Sequence, residues 1–111
     1  MSKPMRLWLI NPAKEEIVPW LYHGDFDTIA PALLCELVQA VTINHHNDDI
    51  FVDEEGWCKP QAHAFMVSTY PQPLAGRGLV TGTSLSGNII EPKVTLEWLK
   101  ANVRFFHAPI H

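Results

Sequence analysis

Nine prolines (Pro4, Pro12, Pro19, Pro31, Pro60, Pro71, Pro73, Pro92 and Pro109) are spread through 111 residues. No other feature limits the fold so strongly. Proline fixes φ and has no backbone N–H, so it interrupts helix interiors and is tolerated in sheets only at edges or ends. A chain punctuated this often folds into short elements joined by tight turns. The rest of the composition still allows a core, with 47% hydrophobic and 18% charged residues, an ordinary globular balance. A chain of this length is expected to form one domain over residues 1–111, burying roughly 60–70% of the surface that its unfolded form exposes. Residues 1–4 and 107–111 are expected to be flexible ends.

Between the prolines the apolar pattern is mostly that of strands. Met5 to Ile10 reads as a strand stopped by Asn11-Pro12, and Glu16 to Tyr22 as a second strand that Pro19 confines to an edge. A helix is predicted next: Asp25, Asp27 or Thr28 can cap it, Pro31 falls in its first turn, and Ile29, Leu33, Leu34, Leu37 and Val38 recur at helical spacing. Val41-Thr42-Ile43 and Ile50-Phe51-Val52 read as paired strands around a polar loop. Asp53-Glu54-Glu55-Gly56 is expected to turn a second hairpin, with Gly56 at positive φ and Trp57 starting the return strand. Ala64 to Val67 and Leu79 to Thr81 are further strand candidates, and Leu96, Leu99 and Val103 share one face of a final helix. The expected fold is α+β, with a small antiparallel sheet of four to six short strands packed against two helices.

Charge is distributed unevenly along the chain. From Glu15 to Glu55 there are ten carboxylates and no lysine or arginine, whereas from Gly56 onward five basic residues face two acidic ones. Unless folding interleaves the halves, the molecule has a negative side and a mildly positive side. With a net charge of -4 and no cluster of Lys or Arg, nucleic-acid binding is not expected. The opening is too mixed for a signal peptide, and no apolar run is long enough for a membrane span. Cys35 and Cys58 are therefore expected to be free thiols in a reducing cytoplasm.

Several side-chain groups invite a chemical reading. His45, His46, Asp48 and Asp49 are metal-ligating types in one loop, but neighbours in sequence usually diverge in space, so no metal or cofactor is assigned. His107 and His111 have ligand spacing only on a helix, which Pro109 opposes. Gly76, Arg77 and Gly78, with the glycines at 82 and 87, resemble an anion cradle in which Arg77 forks onto the ligand. Asn88-Ile89 stands where a P-loop has its lysine and hydroxyl, so this is at most half of that motif. Ser84 lacks the closing glycine of a nucleophile elbow. Cys58 and His63 are near in sequence, but a strand cysteine more often serves as a small apolar side chain. Of the four tryptophans, Trp20 and Trp57 adjoin turns and are the candidates for an interface.

Three segments carry a likeness to a known family: the strand ending Ile10-Asn11-Pro12, the stretch Ile50-Phe51-Val52-Asp53-Glu54-Glu55-Gly56, and Gly76-Arg77-Gly78-Leu79-Val80-Thr81-Gly82 followed by a helix. In these the chain resembles the domain of unknown function 3846 family of small phage and mobile-element proteins. The resemblance implies an accessory protein acting inside a bacterium, and no activity comes with it.

The combined expectation is a non-enzymatic binding protein. Its expected target is a bacterial host protein with a basic surface, engaged through Asp48, Asp49, Asp53, Glu54 and Glu55 with Trp57 as apolar anchor, inhibition of host defence being one role considered; pairing with a second copy is the other partner considered. The alternative is a binder of small, nucleotide-like anions through Gly76, Arg77 and Gly78. A metal-dependent enzyme built on the His45-His46 loop ranks third.

Overall fold

The computed structural model describes residues 3–44, 46–58 and 63–107. Among these residues it is α+β, with nine strands, all paired antiparallel, and two short helices. β1 (Met5–Asn11) and β2 (Glu16–Tyr22) form a hairpin in register from Met5↔Tyr22 to Asn11↔Glu16. Its turn closes where Glu15 N donates to Pro12 O at 3.2 Å. β3 (Val38–Thr42) and β4 (Asp48–Asp53) form a second hairpin. β7 (Gly78–Thr83) inserts between β1 and β4, giving the order β2-β1-β7-β4-β3, and β8 (Ile89–Ile90) pairs with the end of β7. β2 lies at the edge of this sheet, where the missing N–H of Pro19 leaves no gap in the ladder. A second sheet, in the order β6-β5-β9, consists of β5 (Ala64–Val67), β6 (Leu74–Ala75) and β9 (Val103–Phe106).

The alternation of side chains along each strand gives the large sheet two apolar faces. On one face Ile10, Ile50, Val52 and Val80 meet Phe65, Val67 and Leu74 of the small-sheet region, together with Leu99 and Val103. On the other, Leu7, Tyr22 and Leu79 pack beneath Ile29 and Leu33. β7 serves both faces and has no room for side chains at its ends: a Cβ on Gly78 would lie 2.6 Å from Phe65 Cζ, and one on Gly82 would lie 2.6 Å from Glu91 O. These glycines therefore permit packing.

The helices are shorter than the periodicity predicts. α1 covers only Ile29–Ala32, preceded by a 3-10 turn at Phe26–Thr28 that the Asp25 carboxylate caps. The helix ends because Leu34 adopts φ 57°, with Leu34 N bonded to Pro31 O and Cys35 N to Ala30 O at 3.0 Å each. This is the Schellman arrangement, in which a left-handed residue satisfies the last carbonyls. Leu37 and Val38, expected on the helix face, instead lead into β3. α2 (Leu96–Asn102) is capped by Thr95, whose hydroxyl accepts from Trp98 N, and Val103 already belongs to β9.

The expected second hairpin after β4 does not form. Gly56–Cys58 is a 3-10 turn, and both sides of β4 are occupied, by β3 and β7. Gly56 does not have positive φ; a Cβ there would lie 3.0 Å from Ala75 O, so close approach explains this glycine. Among the described residues, no helix is long and apolar enough to cross a membrane.

Candidate functional site

The acidic segment does not form one surface. Asp48 is 0% exposed, and its carboxylate accepts from Lys93 N at 2.9 and 3.1 Å, Val94 N at 3.0 Å and Asn44 Nδ2 at 3.1 Å. It ties the loop before α2 to the start of β4. Asp53, at the other end of the strand, is 7% exposed and accepts from Glu55 N at 2.9 Å. Asp49 is half-buried and accepts from Thr83 Oγ1 at 3.3 Å. Of the acids expected to dock a partner, Glu54 and Glu55 are exposed, beside Trp57, which is 57% exposed. Asp48 and Asp53 are corrected to interior hydrogen-bond acceptors.

Nor do the glycines form an anion cradle. Gly76 has φ 81°, but its N–H is used on His63 O at 3.1 Å. Gly78 is buried in β7 by Phe65 and Ile50. In the β7–β8 turn, Ser84 N and Gly87 N donate to Asn88 O and Ser84 O at 2.9 Å each. Few backbone donors are left there to meet an anion, so Gly76 and Gly78 have structural roles and Arg77 is the residue that remains.

Strand register brings Arg77 into a distinctive setting. Gly78 is opposite Ile10 on β1 and Val52 on β4, so one position further on Arg77 lies between Asn11 and Asp53. Alternation puts all three side chains on the α1 face, continuing Leu9, Leu79 and Phe51. With Pro12, Ala13, Leu33, Leu34, His63 and Gly76 they line a cleft of about 210 Å³. Two of its polar groups are poorly matched by the protein. Asn11 is 6% exposed and its Oδ1 has no hydrogen-bond partner. Arg77 donates from Nη1 to the Ala32 carbonyl at 3.2 Å, a neutral acceptor for a full positive charge. Buried polar atoms are paired in the great majority of cases, so an unpaired one beside a cleft is informative.

The rim carries a histidine pair. His63 and His107 meet edge to face with ring centroids 4.6 Å apart, Nδ1 to Nδ1, and His107 Nε2 reaches Glu15 Oε2 at 3.3 Å. His107 is thus tied to β5 and to the β1–β2 turn, whereas His111 lies outside the described residues. A larger depression of about 390 Å³ is lined by Asn44, His46, Asp48, Lys93 and Trp98, but its carboxylate is fully engaged and it lacks the unmatched groups of the smaller cleft. His45 also lies outside the described residues. Among those described, no three His, Cys, Asp or Glu side chains are grouped to hold a metal ion. Cys58 is exposed and Cys35 half-buried, and neither forms a disulfide among the described residues.

Sequence reasoning found Arg77 but missed the role of Asn11, and it weighed His63 only as a neighbour of Cys58 and not as part of a cleft with Arg77. Asn11 reads as a turn former before proline, although alternation with Leu7 and Leu9 places it where an apolar residue is expected. His63 offers no local signal, because a change of sheet brings it to the cleft. The chain matches no family model, no curated protein and no solved structure.

Proposed function

We propose that the protein is a non-enzymatic binding module for a small molecule bearing an anionic group, taken up in the cleft at the ends of β1, β4 and β7. The observation that supports this most is the presence of Arg77, matched only to a neutral carbonyl among the described residues, beside the unpartnered Asn11 Oδ1. A guanidinium recognises carboxylate or phosphate oxygens through parallel N–H donors. Among the described residues the lining holds no hydroxyl, thiol or amine group. A volume of about 210 Å³ is below the roughly 300–1,000 Å³ of sites for drug-sized ligands, so the nucleotide-like ligand expected from sequence gives way to a smaller one. Thermal unfolding across a panel of small carboxylates and phosphates tests this. At about a hundredfold excess over Kd a ligand adds about 2.7 kcal/mol, a rise of several degrees, and Arg77→Ala should abolish it. A flat panel would overturn the assignment.

A second reading is favoured by the exposure of Trp57 between Glu55 and Cys58. With Glu54 and exposed Leu37, whose carbonyl accepts from Glu54 N at 3.0 Å, it forms a compact acidic and apolar patch. Such a patch suits a basic surface on a partner protein. Capture of a basic partner should weaken with salt and with Glu54→Lys plus Glu55→Lys; capture indifferent to both would exclude this mode.

A further inference from the structure

We propose that His63 and His107 together bind a divalent transition-metal ion of the zinc class. This goes beyond the anion assignment and needs nothing from it. β5 and β9 pair with Ala64 opposite Phe106, so one position further on His63 stands opposite His107. Directly opposed residues of an antiparallel pair project from the same face with Cβ atoms about 4.5–5.5 Å apart, a span that two imidazoles can close around one ion. The rings converge in this way, with Nδ1 of one meeting Nδ1 of the other.

The far nitrogen of His107 decides what the near one can do. Nε2 lies 3.3 Å from Glu15 Oε2, and an ionised carboxylate only accepts, so Nε2 carries the proton and Nδ1 of the neutral ring presents a lone pair towards His63. With its own proton on Nε2, His63 presents a second lone pair, and a cation joins the two. Metal-bound histidines almost always donate their other N–H to a carboxylate, a carbonyl or water, which fixes the tautomer. Glu15 gives His107 that partner from the β1–β2 turn, at φ 51°, where a residue with a side chain is uncommon and glycine is the easier choice.

An ion can reach the pair, since the His107 side chain is 51% exposed and His63 is half-buried. Neutral imidazole nitrogens suit zinc, copper and nickel, whereas magnesium and calcium prefer oxygen. Zinc–nitrogen bonds of about 2.0–2.1 Å place two tetrahedral ligands about 3.3 Å apart, so the touching rings need to separate only slightly. No group of three His, Cys, Asp or Glu side chains occurs among the described residues, so water completes the coordination and the site is open. His63 also lines the Arg77 cleft, which puts the ion on the rim of that cleft.

Isothermal titration calorimetry with zinc chloride, on the chelator-treated full chain without a histidine tag, tests the site. One ion should bind per chain. His63→Ala and His107→Ala should each abolish binding, whereas His23→Ala, which changes another exposed histidine, should leave it intact. Glu15→Ala should weaken zinc by about 10–100-fold, the usual effect of removing such a partner. In nitrogen NMR of the unaltered chain, zinc should shift the Nδ1 resonances of both rings, a readout that no loss of fold can imitate. No zinc binding would mean that the pair is only a hydrogen bond, and the proposal fails. It fails equally if zinc binding survives loss of both histidines, or if the ion shifts Nε2 in place of Nδ1. None of these outcomes touches the anion cleft, which the Arg77→Ala melting experiment judges separately.

Discussion

Two buried polar side chains on adjacent strands illustrate how partners decide the value of a residue. Asp48 and Thr81 are both 0% exposed, but Asp48 is met by three donor groups while Thr81 Oγ1 has no partner. Removing the Asp48 carboxylate strands buried donors, and Asp48→Ala should cost about 2–4 kcal/mol, read as a lower urea midpoint. Thr81→Val exchanges an unsatisfied hydroxyl for a methyl of similar shape and should raise stability by about 1 kcal/mol. Tyr22 makes a pH-dependent case. Burial, with a smaller contribution from Asp25, raises its pKa, so the folded state holds the phenolic proton more tightly than the unfolded chain. Stability is unaffected below the unfolded value of about 10 and falls as pH rises from there through the folded pKa. Tyr22→Phe should remove that alkaline loss and leave the neutral-pH midpoint nearly unchanged.

At the level of elements, local preference and tertiary demand conflict most clearly in α1. Residues 29–38 have helical periodicity, yet the chain must reverse after one turn so that Val38 can pair with Asp53. Leu34 performs the reversal at φ 57°, where a non-glycine residue costs roughly 1–2 kcal/mol. Leu34→Gly should therefore stabilise the fold, by about 1 kcal/mol, while weakening ligand uptake because the cleft loses an apolar wall. A variant equally stable and equally competent would remove Leu34 from the site. The strands show the opposite, with propensity and context in agreement: β1, β2, β4 and β7 all form within a residue or two of where their apolar runs place them, because alternation matches a sheet buried on two faces.

For the whole molecule, the insertion of β7 between β1 and β4 determines most of what is distinctive. It places a C-terminal strand among N-terminal ones, bringing Arg77 into the cleft with Asp53, the backbone of Lys93 onto Asp48, and Lys100 into a depression shared with Glu15 and Glu16. At Arg77 and Lys100 basic residues of the second half thus share clefts with acidic residues of the first. The same insertion makes the large sheet shared ground for two core clusters. Phe65 belongs to the small sheet yet is fully buried with Ile10, Ile50 and Val80 of the large one. Phe65→Ala should cost about 3–5 kcal/mol and lower a single unfolding transition seen alike by fluorescence and circular dichroism; two separate transitions would mean that the sheets unfold independently.

The α+β class, the edge position of β2, the β3–β4 pairing, the presence of a helix at Leu96 and Leu99 and the candidacy of Arg77 were all legible in the linear chain. Each depends on neighbours a few residues apart, through proline chemistry, period-two alternation or helical spacing. The truncation of α1, the small third strand β9, the burial of Asp48 and Asp53, and the meeting of Asn11, Arg77, Asp53 and His63 were not legible. These depend on which distant strands become neighbours, and burial and hydrogen-bond satisfaction are properties of the packed whole that no local pattern encodes.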